Sequence, residues 1–227
     1  MSNWCWDAIL KTPGGPIQYH ERFNSLSHII GGVLAIIGAV VLIVFAALDA
    51  DPWRIVSFSV YGLSLIFLYA ASGLYHGLSG RARHVFQRLD HIAIYVLIAG
   101  TYTPFTLGPL RGVLGWWLFG ILWGLAVLGI IQEFIPQRTR RVSVVLYIVM
   151  GWLIVLAIGP LARHLAPWGL VWLVVGGLFY TIGVIFFVFD EKWRYGHEIW
   201  HIFVLAGSIS QYCAVLFYIG LAPVRIT

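Results

Sequence analysis

Charge is what this sequence has least of. Only 10% of its 227 residues are charged, against roughly a quarter in soluble domains. An ordinary soluble fold is excluded on that ground alone. Cysteine is nearly absent: Cys5 and Cys213 give no disulfide framework and have no metal-motif spacing. A secretory leader is missing too. Met1–Gln18 has neither the apolar core nor the cleavage site of one, so the first apolar segment is expected to serve as its own insertion signal. The net charge of +5 carries no nucleic-acid signal, because in such a chain the placement of Lys and Arg matters more than their sum.

What is present is apolar. Hydrophobic residues make up 60% of the chain, in runs near the length that crosses a bilayer. Seven spans are expected, at about 25–48, 53–78, 90–107, 112–131, 142–161, 168–189 and 196–222. The expected class is an all-α integral membrane protein with one seven-helix domain, 25–222. A polar segment, 1–24, precedes it and a short tail, 223–227, follows. Pro13-Gly14-Gly15-Pro16 breaks the leading segment, and Met1–Leu10, with Trp4 and Trp6, suits the membrane surface. Ten of the fourteen Lys and Arg fall on one side if the spans alternate; Arg54, Arg111, Arg163 and Arg225 fall on the other. The positive-inside rule then puts the N-terminus in the cytoplasm and the C-terminus outside. A bacterial inner membrane is the expected location.

The histidines are the next signal. His20, His28, His76, His84, His91, His197 and His201 gather toward the cytoplasmic side, and only His164 lies opposite. Ionisable groups at membrane depth are costly and mark functional sites by default. His197 and His201 are four residues apart, which puts both imidazoles on one helix face. Such a pair can share a divalent metal, zinc being the commonest. The letters His197-Glu198-x-x-His201 also spell the zincin pattern, in which the Glu is a general base. A zincin takes its third ligand downstream, but no acidic residue or His follows His201. The third ligand must therefore come from upstream, and His76 is the best candidate, at the same depth on the second span.

Around these three stand residues with two readings each. Ser72 is one turn before His76; it suits the site or plain helix packing. Asp90 suits a general base beside a metal, or an N-cap of the third span. Glu198 is about 100° around the helix from His197 and is expected to face Lys192, Arg194 or headgroups. Glu21, Asn24 and His28 suit an outer shell of the site or a cap on the first span. Arg81, Arg83 and Arg88 suit topology signals and contacts with anionic lipid.

Together these pieces resemble the hemolysin III family, within the superfamily of progestin and adipoQ (adiponectin) receptors. The matching residues are Glu21-x-x-Asn24-x-x-x-His28, Ser72-x-x-x-His76, Leu89-Asp90-His91 running to Ala99-Gly-Thr-Tyr-Thr-Pro104, and His197-x-x-x-His201. They occur in family order over essentially the whole chain. The resemblance implies seven spans and a zinc ion held by His76, His197 and His201. It implies that Asp90 holds water on that zinc and that Ser72 sits beside it. It also implies hydrolysis of a lipid amide or ester, ceramide-like, with substrate arriving from the bilayer. The long leading region of the animal receptors is absent, so adaptor signalling is not implied. Three other functions compete: a receptor or lipid sensor with structural zinc, a pore-forming haemolysin, and an intramembrane zinc protease. A polar channel would need a charged stripe along the full length of the spans, which this chain does not show.

Overall fold

The computed structural model of the chain describes residues 16–135 and 139–221. The Met1–Leu10 surface piece and the 223–227 tail lie outside those residues. Every regular element described is helical: α1 (Pro16–Leu48), α2 (Pro52–Gly77), α3 (Gly80–Leu107), α4 (Val113–Gln132), α5 (Arg140–Trp152), α6 (Ile158–His164), α7 (Pro167–Val188) and α8 (Gly196–Val215). A 3₁₀ segment, Leu153–Ala157, joins α5 to α6, and a π turn, Leu216–Gly220, ends α8. Neighbours in sequence pack together from α1 to α4, α7 packs on α8, and α8 returns to α1 to close the circuit.

The helices are built for lipid. On α1, Leu26, Ile30, Val33, Ile37, Val40 and Val44 recur at helical spacing and are each half exposed or more. In water such a stripe would aggregate; in a bilayer it is the favourable face. Among the described residues six helices are long and apolar enough to cross a membrane, counting Arg140–His164 as one. The chain is an integral membrane protein. α3 is also long, at 28 residues, but it opens with Arg81, Arg83, Arg88 and Asp90 and is the least apolar of the long helices.

Local chemistry sets the ends. Asp51 caps α2, its carboxylate accepting from the Trp53 and Arg54 amides at 2.9 and 3.2 Å, with Pro52 at the first helical position. Arg54 is buried, and its guanidinium donates to Asp49 at 2.6 Å. Small residues let helices approach: a Cβ on Gly62 of α2 would stand 2.6 Å from that of Ala39 on α1.

Two expectations are corrected. The third helix does not begin at Asp90. Only Leu78 and Ser79 separate α2 from α3, which begins at Gly80 with a positive φ of 61°. Asp90 therefore sits inside a helix and caps nothing. The fifth span is also interrupted, at Leu153–Ala157. Pro160 has no amide hydrogen, and its ring crowds the carbonyl four residues back, so regular α-helix cannot run through from α5. The Tyr102 hydroxyl takes over freed backbone groups there: it donates to the Gly151 carbonyl at 2.7 Å and accepts from the Ile154 amide at 2.9 Å.

Candidate metal centre

Three histidines from two helices converge. His76 stands in the last turn of α2; His197 and His201 stand one turn apart at the start of α8. Their ring centroids form a triangle with sides of 4.8, 4.9 and 5.1 Å. One ligand atom from each lies within 4.8 Å of the others, close enough to hold one metal ion. His76 and His201 are buried and His197 is half-buried.

Two of the three rings are held by carboxylates. Glu21, on the first turns of α1, meets His76 Nδ1 at 2.6 Å, and its other oxygen accepts from Arg83 at 2.8 Å. Asp190, in the turn before α8, meets His197 Nδ1 at 2.9 Å and takes a two-pronged contact from Arg140 at 2.9 Å on each oxygen. Burial alone would raise the Asp190 carboxyl; the hydrogen bonds from His197 and Arg140, with the Arg140 charge, outweigh it and hold the pKa at about 2. It is therefore an anion at neutral pH. Carboxylates on Nδ1 place the ring proton there and leave the Nε2 lone pair free.

The two free lone pairs face each other, with Nε2 of His76 and Nε2 of His197 3.3 Å apart. Two neutral acceptors at that distance repel unless a cation lies between them. Tetrahedral zinc, bonding nitrogen at about 2.0–2.1 Å, sets two such ligands about 3.3 Å apart. The donor set and its spacing fit zinc.

The other expected residues lie around the same space. A cavity of about 1550 Å³ is lined by Ser72, His76, Asp90, His197 and His201, and by all seven histidines placed on one side from the sequence. His164 is exposed elsewhere. Ser72 is buried. Asp90 is half-buried and close enough to act electrostatically on His76. Glu198 does not face Lys192, Arg194 or headgroups: it is buried and paired with His20 of α1. Asp190 was not singled out from the sequence. The signal that could have found it is an acidic residue seven positions before His197, in a turn short enough to fold back onto the helix it precedes.

From the metal centre the cavity runs along α8 past Val204 to Gln211, about 20 Å at 1.5 Å per residue. Its walls include Leu68, Ile94, Leu97, Ile98, Ile148 and Val184. Where α5 meets α7, Gly151 and Gly177 both line it, and a Cβ on either would touch nothing within 4 Å. Trp152 bridges this seam, donating to Thr181 at 3.1 Å.

A family model described as Haemolysin-III related matches residues 18–212. The "Hemolysin-3 homolog" of Bacillus subtilis (strain 168) is 44% identical over 205 residues, covering 89% of this chain and 96% of that protein. Hemolysin-3 of Bacillus cereus is 46% identical over 201 residues, covering 88% and 91%. The monocyte to macrophage differentiation factor of Homo sapiens is 30% identical over 219 residues, covering 92% and 88%.

Proposed function

We propose that this chain, which belongs to the Haemolysin-III related family, is a membrane-embedded zinc hydrolase of a lipid amide or ester. The observation that carries the reading is the pair of facing Nε2 atoms 3.3 Å apart, each imidazole fixed by a carboxylate, at one end of a long, largely apolar cavity. In this reading α3 counts as a seventh span, the N-terminus is cytoplasmic, and the membrane is a bacterial inner membrane. The ten-to-four split of Lys and Arg supports that orientation.

His76, His197 and His201 would hold the ion. Zinc bound there would polarise a substrate carbonyl and activate water near neutral pH. Glu21 and Asp190 keep the protons of His76 and His197 on Nδ1, so that Nε2 stays a donor of electrons. Asp90 acts as the general base: a carboxylate oxygen takes the proton of the attacking water and returns it to the leaving nitrogen or oxygen. Ser72 holds the reacting group from the α2 side. The apolar walls take the hydrocarbon chain and exclude bulk water.

The test is release of fatty acid from short-chain ceramides and simple lipid esters by purified protein, with and without chelator. Turnover is expected, lost with chelator and regained with zinc. A wild type that holds zinc but is inert on a broad lipid panel would overturn the enzyme reading in favour of a lipid sensor with structural zinc.

The seam between α5 and α7 supports lateral entry from the bilayer, since two glycines leave it without side chains. Gly177→Phe is expected to lower kcat/KM for long-chain substrates by about tenfold or more, the scale of steric discrimination in apolar pockets. Zinc content should not change. Equal activity of wild type and variant on a long-chain ester would place the entry elsewhere.

A further inference from the structure

Two of the three histidines have an orienting carboxylate. His201 has none, yet it is the most deeply buried of them, at 1% exposure; its ring approaches the Asn24 backbone, but among the described residues its Nδ1 makes no well-formed hydrogen bond. Two more buried residues share that condition. Among the described residues Asn24 Oδ1 and both ring nitrogens of His28 likewise make no well-formed hydrogen bond, the His28 ring only approaching the His201 backbone, at 3% exposure each. All three residues line the cavity.

Their arrangement is specific. Asn24 and His28 are one turn apart on α1 and share a face with Glu21. The His28 ring stacks on the His201 ring, centroids 3.8 Å apart and planes at 30°. Its orientation is set from the other side by Tyr69, edge-on at 5.1 Å. Between Asn24 and His28 the Ser25 hydroxyl donates to the Gly73 carbonyl of α2 at 2.8 Å, which pins this part of α1. Buried polar atoms without partners are costly, and a cluster of them beside a cavity is the usual setting of an ordered water with several contacts.

Resting on the zinc reading above, we propose that Asn24 and His28 are positioning residues for His201. The stacked His28 ring fixes its plane. One ordered water, held by Asn24 Oδ1 and a His28 nitrogen, accepts the proton of His201 Nδ1 and thereby fixes its tautomer. α1 then serves the site at two points without ligating it: Glu21 orients His76, and the Asn24–His28 pair orients His201.

The experiment uses purified full-length protein loaded with cobalt(II), whose visible absorption reports the ligand field, with affinity measured by chelator competition. His28→Phe keeps a ring for stacking but removes its nitrogens; Asn24→Leu removes the acceptor; Asn24→Asp keeps an acceptor oxygen. His28→Phe and Asn24→Leu are expected to weaken binding roughly 10–100-fold and to shift the absorption bands, as loss of outer-shell partners does. Asn24→Asp should restore most of both. Ser25→Ala, which loosens α1 from α2, should lower thermal stability and leave the bands in place. If His28→Phe does not fold, the Asn24→Leu and Asn24→Asp pair decides. Wild-type affinity and spectrum in folded Asn24→Leu would overturn the proposal, as would equal weakening in Ser25→Ala. Failure of the wild type to bind cobalt or zinc would overturn the metal reading itself, which sets the two failures apart.

Discussion

The wild type is expected to carry roughly one zinc per chain, and purified His76→Ala to lose nearly all of it. His76 is the one histidine of the triangle that α2 contributes, and its Nε2 stands 3.3 Å from that of His197. Without it, two imidazoles on neighbouring turns of α8 remain, and Glu21 loses its contact with the His76 ring. Losing an outer-shell partner costs roughly 10–100-fold in affinity, so losing a ligand should exceed that range. His197→Ala and His201→Ala should behave alike. His164→Ala, at an exposed residue that does not line the cavity, should keep full metal. Elemental analysis decides: full zinc in His76→Ala would remove His76 from the ligand set.

Asp90→Asn separates catalysis from binding. The amide keeps the shape and can still hydrogen-bond, but it cannot take a proton at neutral pH. A positioned general base contributes about 10²–10⁴-fold, so kcat should fall by that amount. Zinc should stay, because the three histidines do not include Asp90. Metal content and turnover must be measured on one sample. Retained turnover with full zinc would exclude Asp90 as the base. Ser72 offers no comparable test, since small buried hydroxyls also pack helices.

The closeness of the three histidines was legible because helices obey arithmetic. Two histidines four apart must share a face, and span ends at one depth must meet if the spans are neighbours. The carboxylates were harder. Glu21 lies in a helix that begins at Pro16, well before the apolar run starts, and helix outside lipid leaves little hydropathy signal. Asp190 reaches His197 because the turn folds back, with the Lys192 and Trp193 amides both donating to the Phe189 carbonyl. Such a path depends on a few dihedral angles and has no period to read. Glu198 was misread for a related reason. Its angle from His197 was right, but α1 extends far enough to bring His20 to that side. The Gly159-Pro160 pair was the available sign of the break in the fifth span.

α3 has a consequence for how the molecule is made. Its first turns carry Arg81, Arg83, Arg88 and Asp90, and from Ile92 to Leu107 it is mostly buried against other helices rather than facing outward. Thr101, Thr103 and Thr106 return their hydroxyls to their own helix, onto the Leu97, Ala99 and Tyr102 carbonyls. Such a segment has little to gain from lipid alone, so hydrophobicity does not by itself commit it to the bilayer during synthesis. It follows α2 after two residues, and the two enter most cheaply as one hairpin that α4 then seals. In the seven-span reading Asp90 reaches membrane depth as cargo of its neighbours, and the base proposed for catalysis owes its place to the order of assembly.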